Sequence, residues 1–459
     1  MVRQRIKNLI LLLLVIVCIY LSSNVWMQLP EFISYNLKDD IDSEEEIPET
    51  YFWDVVKPLK NIIKYKDNYT VVYSDEHDFW SKTVYVIYDA LEDFDNSNIS
   101  DSAAFPLNYI KFDFVSSIPI ELFVEHMEID DLTIKESINN IKNVIIDLDN
   151  NNTLYIYNGE NTIKIESDNI NTNEISAIVK EMDYDKYTKY SFKEKIGEKT
   201  LRIPVPLEQT ALNPVFVQSE LDVFDTEAIN KIAKDYFKSN YEYVRKSVEV
   251  SGKLIYMFRT EKVLKINEEG LLDFYDANID IYNENGVYES FITALNFTED
   301  FLGFPEYGYL SNIENIQYEG NYGYRFIFSY KILDRPILFS KVRENTALQI
   351  DVVGNKVVSY QRFIRNKDDT QMNKMNEISI LPAIEVIRAN LAGDDYEENM
   401  EELKPLKGDM IENISNIYLS YFDLSRITKE QVLRVVWVIE INEKSYIFNA
   451  ITGRLIEEW

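Results

Sequence analysis

From Leu9 to Leu21 the chain runs through apolar residues without one charged or strongly polar side chain. A helix from Leu9 to Leu29 is about 31 Å long at ~1.5 Å per residue, enough to cross the hydrocarbon core, and it brings Trp26 to the depth that indoles prefer. Arg3, Arg5 and Lys7 stand before it and no acid does, which predicts a cytoplasmic N-terminus and a body outside. The pattern therefore predicts a tail at 1–7 and a transmembrane anchor at 8–29. A cleaved secretory signal begins in the same way, but Ser22, Ser23 and Asn24 offer small residues side by side without an Ala-x-Ala spacing. Cys18 follows Val15, Ile16 and Val17, not the small residues of a lipid-attachment site, and reads as a lipid-facing or helix-packing thiol.

Beyond the anchor, residues 30–50 hold Asp39, Asp40, Asp42, Glu44, Glu45, Glu46 and Glu49 with few large apolar side chains, a solvated stalk. A first exterior domain is expected at 51–203. Asn61 to Tyr65 and Tyr69 to Tyr73, on either side of Lys66-Asp67-Asn68, read as a strand pair. Phe79, Thr83, Val86, Ile87, Ala90, Leu91 and Phe94 then recur at helical spacing. Val144 to Leu148 and Thr153 to Tyr157 read as strands around a polar turn, Asp149 to Asn152. Asp147, Asp149 and Asn151 sit at alternate positions like calcium ligands, yet Asn152 and Asn158 replace the glycine and the bidentate glutamate of such a loop.

Pro204 and Pro206 break any regular element and mark a boundary, with a second α+β domain at 204–370 and a third at 371–459. In the second, Asp225 or Thr226 caps a helix carrying Ile229, Ile232, Ala233, Tyr236 and Phe237. Strands at 244–266 and 271–282 precede a helix, Glu289 to Leu302, that is expected to bury Phe291, Ile292, Leu295 and Leu302 and stop at Gly303. The next pattern occurs twice. Ile313-Glu314-Asn315-Ile316, the strand Tyr324 to Tyr330 and a hairpin at Gly354 have counterparts after a helix opened by Pro382 and ended by Gly393. These are Ile414-Ser415-Asn416-Ile417, the strand Val435 to Ile441 and a hairpin at Gly453. From the Ile-x-Asn-Ile to the hairpin glycine is 41 residues in one copy and 39 in the other. Two similar helix-on-antiparallel-sheet units account for this; chance in a chain rich in isoleucine and asparagine is the alternative. The fold class read from the pattern is α+β: one N-terminal transmembrane helix and an extracytoplasmic multidomain body whose last two domains are alike.

Composition changes the picture in two ways. The net charge of −31 lies wholly beyond the first 28 residues, on a surface that repels nucleic acid and anionic polymers and suits a body that does not adhere to a membrane. Cys18 is the single cysteine of the chain, so the body depends on packing without disulfides, in keeping with a bacterial surface. The sequence shows no Gly-x-Ser-x-Gly, His-Glu-x-x-His, Cys-x-x-Cys or phosphate-cradling loop, and no metal or cofactor site is expected. His77 and His126 lie among acids, where a pH sensor is conceivable and a solvated surface histidine is the plainer reading. Paired carboxylates for glycoside cleavage stay open, since 78 acids supply many accidental pairs. A tail of about eight residues leaves no room for a cytoplasmic domain, so a signal leaves through the helix or a partner. Leu12, Ile16, Cys18, Ile19, Ser22 and Ser23 are the candidate contacts with a partner helix.

The opening Arg3-Gln4-Arg5-Ile6-Lys7 into leucine-rich residues and Asn24-Val25-Trp26, with Val55-Val56-Lys57-Pro58, Ile203-Pro204 and the repeated C-terminal half, resembles the YycH proteins of Gram-positive bacteria. Tyr446-Ile447-Phe448-Asn449-Ala450 with Thr452-Gly453 also resembles the companion YycI family. The resemblance implies a single-pass signal anchor in the cell membrane and a three-domain exterior body without catalytic residues. It also implies a role as accessory regulator of the WalK (YycG) sensor histidine kinase of a two-component system controlling cell-wall metabolism, together with a YycI-like partner. An anchored or secreted binding module for a cell-wall or small-molecule ligand is the alternative, suggested by the many tyrosines and tryptophans.

Overall fold

Lys66 adopts a left-handed backbone (φ 55°) and, with Asp67, folds β1 (Lys60–Tyr65) onto β2 (Asn68–Val72), the strand pair expected from the pattern. In this computed structural model the described residues are 49–459, apart from 74–76, 95–97, 102–104, 130–131, 197–198, 208, 278–284, 319, 342–345, 392–407, 425–429 and 443. The anchor, the stalk up to Pro48 and the helix-ending Gly393 lie outside them. No helix among the described residues is long and apolar enough to cross a membrane. Glu49–Trp459 forms one compact α+β unit.

The chain comes into this unit through α1 (Glu49–Val55). After β2 the expected helix α2 (Phe79–Glu92) buries its stripe, Phe79, Thr83, Val86, Ile87, Ala90 and Leu91. β3 (Asn98–Asp101), β4 (Tyr109–Pro119), α3 (Ile120–His126), β5 (Asn140–Asp147), β6 (Thr153–Tyr157), β7 (Thr162–Glu166) and α4 (Asn173–Glu181) follow. Their strands form a seven-stranded sheet in the order β2-β1-β4-β5-β6-β7-β3. β4 loses register between Asp113 and Ile118, a bulge that bends it just before α3. Around Pro204 and Pro206 the chain is extended, and its short strands Lys199–Leu201 and Val205–Pro206 pair locally with Glu194–Ile196 and Tyr190–Ser191.

The second sheet has thirteen strands. α5 (Thr226–Phe237) is capped by the Asp225 carboxylate, which accepts from the Ala228 N–H at 3.0 Å. β8 (Arg245–Val248), β9 (Leu254–Phe258), β10 (Lys262–Ile266) and β11 (Leu272–Asp276) then form a meander. α6 (Val287–Phe301) stops before Gly303, whose φ is +74°. Phe291 and Leu295 are fully buried, whereas Ile292 and Leu302, expected inside, are half-exposed at the edge of the apolar stripe. β12 (Gly308–Tyr318), β13 (Asn321–Ile332), β14 (Arg335–Phe339), β15 (Leu348–Val353) and β16 (Lys356–Arg362) complete the first copy of the repeat. α7 (Ala383–Leu391), β17 (Ile414–Asp423), β18 (Arg434–Ile441), β19 (Lys444–Asn449) and β20 (Leu455–Glu458) form the second.

The sheet order is β8-β9-β10-β11-β16-β15-β13-β14-β17-β18-β19-β20, with β12 paired to β13. Both copies thus share one continuous sheet. They are joined where β14 runs parallel to β17, Ile337 beside Tyr421; the other described pairings are antiparallel. β12 and β17 each carry a bulge near their start, at Leu310/Asn312 and at Ile414/Asn416, and Gly354 (φ 59°) and Gly453 (φ 69°) turn the two closing hairpins in conformations costly to other residues. Aligned on the bulges, the two Ile-x-Asn-Ile runs are about three residues out of step. The repeat resides in the order of elements, not in that motif.

Candidate functional site

Where the first sheet meets the end of the second, charged and aromatic side chains replace the aliphatic packing found elsewhere. Lys60 on β1 is only 7% exposed, and its ammonium donates to Asn416 Oδ1 on β17 at 2.7 Å across 356 residues of chain. It lies 3.4 Å from the Asp113 carboxylate and over the ring of Tyr418. Lys111 stands 3.9 Å from Asp113, Asn143 donates to that same carboxylate, and Lys142 donates to the Phe114 and Val115 carbonyls at 2.7 and 2.6 Å, filling the bulge in β4. On the other flank Lys331 donates to the Tyr73 carbonyl at 2.6 Å, and the Arg335 guanidinium lies 5.1 Å over the Tyr73 ring. Ile62, Val71, Tyr73 and Tyr190 form the apolar filling.

The electrostatics of this clasp follow from burial. Desolvation pushes the Asp113 carboxyl up, but Lys111, Lys60 and Lys142 together outweigh it and hold the group below its ordinary value. Burial pulls Lys111 and Lys142 down and pushes the hydroxyls of Tyr69, Tyr73, Tyr190 and Tyr418 up. Asp113 is thus an ionised acceptor and the tyrosines remain protonated. Such a network holds two sheets in one placement, because shifting either strands a charge away from its partner.

α1 is wedged into the same body. Phe52, fully buried, stacks on the His126 ring of α3 at 3.7 Å between centroids and meets Phe291 of α6 edge-on at 5.6 Å. Trp53 packs on Phe123, and Trp80 of α2 donates its indole N–H to the Val56 carbonyl at 3.0 Å. The first described helix therefore touches helices belonging to both sheets. A second polar node ties the repeat together: Arg362 makes a bidentate pair with Glu220, both contacts 2.7 Å, and donates to the Gly303 carbonyl. Arg365, fully buried, pairs with Asp423 at 2.9 Å and donates to Ser219 and the Glu269 carbonyl. The far side of the second sheet, opposite α5 and α6, is a polar ladder in which Arg325 grips Asp351 at 2.7 and 2.8 Å and Gln361 donates to Asp273.

Arg3, Arg5, Lys7, Leu12, Ile16, Cys18, Ile19, Ser22, Ser23 and Trp26 lie outside the described residues. The histidines are not the solvated surface groups expected. His126 is held in an aromatic cage of Phe52, Trp53 and Tyr288, and His77 Nε2 lies 2.5 Å from the Tyr187 hydroxyl, because His126 ends α3 and His77 stands just before α2, both apolar elements that pack against other rings. Asp147 turns its carboxylate to the N–H groups of Asp149 and Asn150, and Asn108 donates to Asp149, so these residues build the turn between β5 and β6. Lys60, Asp113, Arg362, Arg365 and Asp423 went unremarked in the sequence. Their signal was a charge inside an apolar run, as in Lys60-Asn61-Ile62-Ile63 and Arg362-Phe363-Ile364-Arg365.

Residues 4–186 match the family model described as YycH protein, N-terminal domain. The crystal structure of YycH from Bacillus subtilis is similar over 86% of this chain and 96% of that one, with a TM-score of 0.53 and 14% identity. Over residues 4–186 the chain belongs to the YycH family. Two slighter likenesses are an uncharacterized protein from Eubacterium rectale, at a TM-score of 0.35 and 12% identity over 58% of this chain and 92% of that one, and the Bacillus megaterium YpeB C-terminal domain, at 0.25 and 12% over 51% and 96%. No curated protein is matched by the sequence.

Proposed function

We propose that this YycH-family protein is a non-enzymatic, membrane-anchored regulator of a sensor histidine kinase of the WalK (YycG) type. It acts with a YycI-like companion, through contacts that include its transmembrane helix at 8–29. The observation that carries the reading is the family match over residues 4–186, which takes in both the apolar segment and the first sheet. The division of the exterior into 51–203, 204–370 and 371–459 belongs to the same proposal. So does the role of α1: a displacement of the residues before it is passed by Phe52 and Trp53 to both sheets, which the Lys60–Asp113–Asn416 clasp holds as one body. Leu12, Ile16, Cys18, Ile19, Ser22 and Ser23 are the proposed partner-helix contacts.

The test is to tag the chain at its C-terminus, solubilise native membranes in mild detergent and identify what copurifies. A sensor kinase and a YycI-like protein, both lost when residues 6–27 are replaced by an unrelated spanning helix, are expected. Unchanged kinase output after that replacement overturns the membrane-contact part. Recovery of the chain alone, with its N-terminus removed, overturns the regulator reading.

A further inference from the structure

The mean charge of the chain hides a local exception. Residues 226–266 carry nine lysines and arginines against five acids, a net of +4, which leaves −35 on the rest. At their centre β8 ends the large sheet, and all four of its residues, Arg245, Lys246, Ser247 and Val248, are exposed. The turn into β9 is closed by the Glu249 N–H on the Lys253 carbonyl and the Gly252 N–H on the Glu249 carbonyl, and it holds Val250 wholly in solvent. Val248 is 63% exposed, and Tyr243, just before the strand, 73%.

Charge on an edge strand guards it against pairing with another chain, and Arg245 and Lys246 do so over a strand of four residues, too short to receive a firm added strand. Guarding does not explain two valines at the tip. Apolar side chains displayed beyond a cationic base, with a tyrosine beside them, are what an anionic lipid surface accommodates: the valines reach the headgroup–acyl boundary, the tyrosine sits at the interface and the cations meet the headgroups. Two acids lie at the tip, Glu249 in the turn and Glu268 with its carboxylate against Gly252, and Arg245, Lys246 and Lys253 outnumber them. We infer that the β8–β9 hairpin is a membrane-contact element that seats on anionic lipid headgroups. This inference uses the anchor reading only to bring the body near a bilayer and is independent of the kinase.

The experiment places the full chain, with Cys18→Ser and Val250→Cys carrying an environment-sensitive fluorophore, in nanodiscs that contain nitroxide-labelled lipid. The discs hold either phosphatidylcholine alone or a mixture with phosphatidylglycerol. Quenching is expected in the anionic discs, at least tenfold weaker in the neutral ones, and lost with Arg245→Glu/Lys246→Glu, since each basic residue at an anionic surface counts for roughly fivefold in partition. A label at Leu107→Cys, 77% exposed in the bend just before β4 of the first sheet, serves as the control and is expected to stay unquenched. Equal quenching at both labels, quenching indifferent to lipid charge, or no quenching at residue 250 overturns the inference. Protection of that label only when membrane proteins are added does so in favour of a protein partner. Failure of the anchor reading shows separately, as a chain that enters neither disc. Flotation with vesicles of the same lipids then reads the hairpin alone, and indifference to the charge reversal overturns it there too.

Discussion

A buried charge that loses its partner costs more than the pair contributed, which makes Arg365 and Asp423 informative positions. Arg365→Met is expected to lower stability by about 3–5 kcal/mol in urea denaturation, and Arg365→Met with Asp423→Leu to recover most of that, because the double change leaves no isolated charge. The clasp makes a second prediction, in pH. A tyrosine whose folded pKa is raised contributes stability that is complete below about 10 and is lost as pH rises further. Tyr69, Tyr73, Tyr190 and Tyr418 are raised by burial, and Tyr421 is pushed up to about 12, so their tyrosinate absorbance is expected to appear only as the protein unfolds. Asp113 works at the other end. Held below its ordinary value, it contributes above about pH 4 and loses that contribution as acid protonates it. A stopped-flow pH jump read by absorbance and circular dichroism separates these phases; buried tyrosines that ionise before unfolding contradict the account.

Elements whose apolar residues fall on one stripe or one face were legible without coordinates. α2, α5 and the hairpins at Lys66 and Gly354 belong here, since each is decided by local spacing and turn chemistry. What spacing could not supply is which sheet an element joins. Nothing near Arg335 announces that β14 crosses to β17, and nothing near Lys60 announces Asn416, because these contacts join residues 84 and 356 positions apart respectively. α1 is the sharpest case: Tyr51-Phe52-Trp53 reads as a plain apolar patch after an acidic run, and only its neighbours His126 and Phe291 reveal a wedge between two layers. Phe52→Ala is expected to cost about 3–5 kcal/mol, the price of emptying a fully buried aromatic site. It should also raise proteolysis near residue 49 before the rest of the body becomes susceptible. Simultaneous loss of all fragments would mean that α1 has no separate stability.

At the scale of the whole molecule, two sheets and a repeated half are held by contacts that arrive late in the chain. A chain ended at residue 370, at the proposed boundary of the third unit, keeps β14 but removes β17, leaving that strand edge unpaired, the Lys60 ammonium without Asn416 and Arg365 without Asp423. Such a chain is expected to aggregate or bind hydrophobic dye, as gel filtration and dye fluorescence will show; a monodisperse, dye-silent product would mean that the first two units stand alone.

The parallel seam between β14 and β17 bears on the order of events during synthesis. The first sheet needs nothing beyond Glu166 to complete its ladder, and the β8–β16 meander nothing beyond Arg362. The seam, the clasp and the Arg365 pair all wait for residues 414–423. Closing so long a loop is slow. For an interval the emerging chain therefore carries a finished first layer and an open edge in the second, and this is the moment at which a chaperone has something to hold.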